Sequence, residues 1–252
     1  DVDGDANWTT SGTAGYAVPR TNVIGSTDVV GTGHIDVSVD GSVKLTETAG
    51  DLRAGMIRSR ADTVDLTSSD GSIVDARTGA DAAATTGDSD ADVVGISITL
   101  HAPLGGIGST TNFLEIDSSN LDGMTKNGQV DANARGGIFL TEIDGIAGAT
   151  NPDDLRVGLV TSDAGDVVLT TRAGSILDAL ADDAADVVAN SIDVMAVGGS
   201  IGSTTHDLDI DSNASSTPTT RGDVGLQADG SIRVSETDGE MRVVLAEAFG
   251  LA

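Results

Sequence analysis

The sequence predicts an all-β protein: a parallel β-helix solenoid of about seven rungs of ~31 residues, three short strands each, in ~95-residue super-repeats. Three observations point there. The composition favours short strands and turns, a long motif recurs twice, and a shorter apolar triplet recurs inside it.

The chain has 252 residues, with 40 Asp and Glu against 13 Lys and Arg, for a formal net charge of −27. The acidic side is 34 Asp and only six Glu. Asp is a poor helix former and favours turns and caps. The five aromatic residues are too few to anchor an ordinary globular core, so Val, Ile, Leu and Ala must carry it. With 33 Gly the apolar residues read as β-branched strands cut by Gly- and Asp-rich turns. The absence of Cys excludes disulfides and thiolate metal sites. The acidic balance argues against nucleic acid, whose phosphates need clustered Lys and Arg. No apolar run is long enough to cross a membrane as a helix. The first residues are acidic and polar, so no secretory leader is expected at this start, and the numbering is expected to begin inside a processed or longer protein.

The long motif is Gly41 to Glu47, which recurs as Gly136 to Glu142 and again as Gly230 to Glu236. Asp51-Leu52-Arg53 likewise matches Asp154-Leu155-Arg156, Gly71 to Ala76 matches Gly174 to Ala179, and Leu114 to Ser118 matches Leu208 to Ser212. The super-repeats are therefore 41–135, 136–229 and a partial 230–252. The β-helix domain is placed at 34–252, and 1–33 is an irregular segment or imperfect rung. Length changes fall in polar stretches, while the apolar frame is kept.

The triplet Gly, Ser or Gly, then Ile or Val starts at 41, 71, 105, 136, 174, 199 and 230. Around it lie three strand-like pieces per rung, alternating apolar and polar residues so that one face is buried. Val64 and Leu66 exemplify the first, Ile73 and Ile138 the second, Leu114 and Ile116 the third. The glycine ahead of each second strand is expected to supply a tight corner with positive φ. A sandwich array with one domain per super-repeat is the rival, but sandwich strands do not repeat at the triplet spacing. A rung cannot bury its apolar face alone, so rungs must stack. Uncapped end rungs would present open strand edges.

The motifs Gly198 to Gly202 with Leu208 to Ser212, and Gly105 to Ser109 with Leu114 to Ser118, resemble those of repetitive bacterial surface β-helix proteins, the filamentous-haemagglutinin-like adhesins and related giant exoproteins. The resemblance implies a secreted or cell-surface stalk acting in adhesion, biofilm or envelope structure. The function expected is a non-enzymatic rigid spacer at the bacterial surface. Its partners would be adjacent repeats of the same chain or a second copy, and a host-cell or matrix glycan or protein receptor. The alternative is a subunit that assembles end to end into an extracellular filament or sheath. A glycan-binding or glycan-cleaving β-helix is the third reading.

No cofactor is required by this reading, and calcium is the candidate ion. Asp1, Asp3 and Asp5 alternate as the start of a calcium loop does, although Ala6 stands where such a loop needs Gly. Asp207, Asp209 and Asp211 also alternate, which on a strand would put them on one outer face, where a cation would relieve their repulsion. The bland reading is a solvated acidic ridge, and Asp88 to Asp92 and Asp182 to Asp186 read the same way. Ser200 matches a nucleophile elbow, but no helix pattern follows it, and a repeat corner explains the match. Arg53, Arg156 and Arg242 share a slot and are expected on one face, paired with outward carboxylates or facing an acidic glycan. The variable loops 79–90, 119–128, 146–153 and 213–222 are where a receptor would be met.

Overall fold

The computed structural model describes residues 33–77, 91–118, 128–143, 154–212 and 222–250, with the backbone of 23–27, 120–121 and 124–125. Among these residues there is no helix, and nearly all strands join one sheet that coils on itself through parallel pairing. The exception is a small antiparallel pair, Asn120–Leu121 with Met124–Thr125. Among the described residues no helix is long and apolar enough to cross a membrane.

Two ladders run the length of the coil. In one, Val43–Glu47 lies on Val64–Ser68, then Ile98–Ala102, then Val130–Ala134. It continues through Leu155–Ser162, Val187–Val188, Leu208–Asp211 and Val234–Glu236. The other starts at Ile35–Val39 and passes through Leu52–Ser59, Val93–Val94, Leu114–Asp117 and Ile138–Glu142. It then takes Val167–Asp178, Ile192–Ile201, Val224–Ala228 and Val243–Ala248. A thinner third ladder forms at the triplets. Ile73 bridges Ile107 and Ile107 bridges Ile138, and in the second copy Ile176 pairs with Ile201 and Ile201 with Ile232.

Repeat-equivalent strands change ladder. Val43, Val64, Ile98 and Val130 share the first, but their counterparts Ile138, Val167, Ile192 and Val224 share the second. The third copy, at Val234–Glu236, returns to the first. Two super-repeats thus span seven turns and one spans three and a half. The steps between paired strands are uneven: Val43 to Val64 is 21 positions and Val64 to Ile98 is 34. They average about 27, shorter than the ~31 expected from the triplets. The triplet series overstates the turn because from Gly41 to Gly71, and again from Gly136 to Gly174, it also slides from one ladder to the next.

The alternation has the predicted consequence. In Ile98–Ala102 the side chains of Ile98, Leu100 and Ala102 are buried, Thr99 is exposed and His101 lies between. Ile, Val and Leu of successive turns stack into one continuous core from Val43 to Ala228. Each fully buried Leu or Ile contributes roughly 1.5–3 kcal/mol relative to its exposed form. The core ends openly, for the whole strand Val243–Ala248 is exposed.

The triplet glycines serve a different purpose from the one expected. None of those at 41, 71, 105, 136, 174, 199 and 230 has a positive φ. All but Gly41 stack instead: a Cβ on Gly105 would strike the backbone of Gly71 and Ser72, and one on Gly199 that of Gly174. Gly136 donates its N–H to Gly105 O at 2.8 Å and Gly230 to Gly199 O at 2.7 Å. Positive φ is found three residues past the triplet start, at Gly108 (63°) and its counterpart Gly202 (68°).

Candidate functional site

The residues that stand out chemically are buried acids. Asp92 and Asp186 lie in stretches that read as solvated loops, yet they are 2% and 1% exposed. Both precede a Val-Val pair whose first valine lies in the core, and backbone pairing holds them in the rung. Asp92 donates its N–H to Glu115 O at 2.9 Å and accepts from Ile57 N–H at 2.7 Å. Asp186 does the same with Asp209 O at 2.7 Å and Val160 N–H at 2.8 Å. The side chains bend back in the same way. Asp92 Oδ2 accepts the Glu115 N–H at 3.3 Å, and Asp186 Oδ2 accepts the Asp209 N–H at 2.9 Å.

Each acid belongs to a group of three. Asp75, Asp92 and Glu115 form the first, and their counterparts Asp178, Asp186 and Asp209 the second. In the first, one oxygen from each residue lies within 4.8 Å of the others, and all three residues are buried. No other three acid, His or Cys side chains come so close among the described residues. Asp75 Oδ1 accepts the Arg77 N–H at 2.7 Å. Asp178 Oδ1 accepts those of Leu180 at 2.7 Å and Ala181 at 2.8 Å. The second group carries an Asp where the first carries Glu115, so its third arm is one methylene shorter.

Burial governs the electrostatics. It pushes the Asp92 carboxyl far above the usual range, and the neighbouring Asp75 and Glu115 add to this. Burial raises Glu115 too, against the hydrogen bond from Asp92, with Asp75 raising it and the Arg172 charge lowering it. Asp186 is raised to about 8, by burial first and against the Asp209 N–H, with Asp178 adding. Asp92 and Asp186 hold their protons at neutral pH.

The acids singled out in the sequence fare differently. Asp1, Asp3 and Asp5 lie outside the described residues. Asp209 and Asp211 alternate with the core residues Leu208 and Ile210, and Asp207 immediately precedes this strand. Asp207 accepts the Arg233 Nε–H at 3.0 Å, whereas Asp209 is 7% exposed and donates its N–H to Asp186 Oδ2 at 2.9 Å. Its carboxyl is raised by burial, against a hydrogen bond from Ser235. Asp211 is half-buried. The Arg slot is not a paired row either. Arg53 Nε donates to Gly33 O at 3.0 Å and Arg156 Nη2 to Ala179 O at 3.3 Å, and among the described residues only Arg242 of the three meets a carboxylate, Asp223 Oδ1 at 3.2 Å. The ladder exchange separates Arg53 from Arg156, so they do not line one face. Ser200 sits in a hydroxyl column, its Oγ accepting the Ser231 N–H at 3.0 Å. Of the variable loops, 79–90 and 146–153 lie outside the described residues, as do half of 119–128 and all of 213–222 but Gly222.

The signal for the buried groups was present in the sequence as Asp92-Val93-Val94 recurring at Asp186-Val187-Val188, beside the acidic second position of Leu114 to Asp117 and Leu208 to Asp211. An acid kept in phase with buried valines belongs to the rung, not to a loop. Comparison with known proteins finds no matching family model, curated protein or solved structure.

Proposed function

We propose that this chain is a rigid, non-enzymatic spacer, a segment of a secreted or cell-surface bacterial adhesin or exoprotein. The observation that supports it most is the continuity of the parallel ladders and of one core from the first super-repeat into the third. Such an architecture makes length proportional to repeat number and lets sequence vary in the loops at no cost to the frame. The sequence resemblance to surface adhesins points the same way, and the net charge of −27 suits an exposed, highly solvated surface. Small-angle scattering tests the reading. A chain carrying one additional copy of 136–229 should keep its cross-section and lengthen by about 17 Å, three and a half turns of roughly 4.8 Å. A thicker or bilobed particle would overturn it.

End-to-end assembly is a second reading, supported by the exposed strand Val243–Ala248. Its Val243 and Val244 are 47% and 56% exposed, an apolar edge of the kind that pairs with another strand. Sedimentation at rising protein concentration separates the two: a spacer stays monomeric, whereas a filament subunit grows.

A further inference from the structure

We propose that Asp75, Asp92 and Glu115 form a binding site for one divalent, oxygen-seeking cation of the calcium class, which ties two successive turns of the coil together. Calcium takes carboxylate and carbonyl oxygens at 2.3–2.6 Å, so oxygens on opposite sides of it stand about 4.6–5.2 Å apart. The mutual spacing here, within 4.8 Å, lets three carboxylates contact one such ion.

The side chains are already aimed. The Arg77 N–H holds one oxygen of Asp75, and the Glu115 N–H holds one oxygen of Asp92. Independently, Glu115 Oε2 is sealed from water, in a residue 1% exposed, and receives no hydrogen bond from any N–H or hydroxyl. A buried carboxylate oxygen left so is a costly defect, one that Asp178 Oδ2 shares and some other buried acids avoid. Glu142, for instance, accepts both the N–H and the hydroxyl of Ser118. Arg172 acts on Glu115 from nearby, while Asp75 repels both Asp92 and Glu115. A divalent ion would both coordinate Oε2 and offset that repulsion. The twin group, with the shorter Asp209, does not bring three oxygens within the same distance, which assigns the site to the first copy alone.

The test is isothermal titration of the whole chain, stripped with EDTA, with calcium chloride in 0.15 M salt to screen the acidic surface. One saturable calcium per chain is expected. Glu115→Gln and Asp92→Asn should each abolish it, whereas Asp186→Asn should leave it intact. Calcium binding that is non-saturable, or unchanged by Glu115→Gln, would show only diffuse counter-ions and overturn the site. Should either ligand variant fail to fold, the melting of the unsubstituted chain decides. Millimolar calcium chloride should raise its melting temperature more than sodium chloride at matched ionic strength, and an equal response would overturn the proposal.

Discussion

Ser118 gives both its backbone N–H and its hydroxyl to the buried carboxylate of Glu142, at 2.7 and 2.8 Å. One super-repeat later Ser212 clasps Glu236 in the same way, at 2.8 Å for both bonds. The clasp joins two turns across residues 24 positions apart. Glu142 is fully buried and Glu236 is half-exposed, since the second clasp sits near the open end of the core. Hydrogen bonds to charged groups contribute roughly 1.5–3 kcal/mol when water cannot substitute. Ser118→Ala should therefore cost about 2 kcal/mol in urea denaturation, and Ser212→Ala clearly less. Equal losses would mean that burial does not set the strength of the clasp.

Asp186 gives a pH dependence with a definite sign. Its ordinary value is 3.8 and its folded value about 8, so between these limits the native state holds a proton that the unfolded chain has released. Stability therefore falls as pH rises through this range. Asp178 and Asp209 face Asp186 and add their repulsion once it ionises. Asp186→Asn imitates the protonated form. Melting curves from pH 5 to pH 9 should show the unsubstituted chain losing stability more steeply than Asp186→Asn, with the two closest at pH 5. A displacement of about 2–4 °C per kcal/mol is the scale to expect for a chain of this size. Parallel curves would show that Asp186 titrates normally.

The core was legible in the sequence because its signal is periodic. Val64 and Leu66, Ile98 and Leu100, and Leu114 and Ile116 all lie in parallel strands with the apolar residue inside. The ladder exchange was hidden, since it depends on how many residues each turn consumes. Steps as different as Val43 to Val64 and Val64 to Ile98 leave no mark in the motif itself. The buried acids were hidden for a chemical reason. An Asp in a polar stretch reads as solvated, and only the structure shows that Asp92 and Asp186 are buried. Asp209 is buried although it alternates with the core residues Leu208 and Ile210, because neighbouring groups such as Asp186 and Ser235 cover it, which no alternation can show.

Ile107 tests how much a single bridge residue carries. It is fully buried, and it links Ile73 of the preceding turn to Ile138 of the next. Ile107→Ala would open a cavity between turns that rigid strands cannot close, at about 2–5 kcal/mol. Leu104, three positions earlier, is 56% exposed, so Leu104→Ala should stay within about 0.5 kcal/mol of the parent. Chemical denaturation of both variants distinguishes a load shared along the stack from one held at this point.

The glycine column makes the sharpest steric prediction. A Cβ on Gly105 would stand 2.6 Å from Ser72 N and closer still to Gly71, all backbone that is locked into the ladder. On Gly136, the next turn, the nearest atom is Gly105 O at 3.3 Å, a contact that a shift of a few tenths of an ångström relieves. Neither glycine has a positive φ, so the two differ in space and not in backbone conformation. Gly105→Ala must therefore push two turns apart and lose parallel pairing on both sides of Ile107, whereas Gly136→Ala should lose little. The expected cost is more than about 3 kcal/mol for the first and under about 1 kcal/mol for the second, set by overpacking alone. Hydrogen exchange locates the damage: faster exchange at the Ile73 and Ile107 amides in Gly105→Ala, with Gly136→Ala close to the parent, is the expected pattern. If both variants exchange alike, the column is held together by something other than close backbone approach.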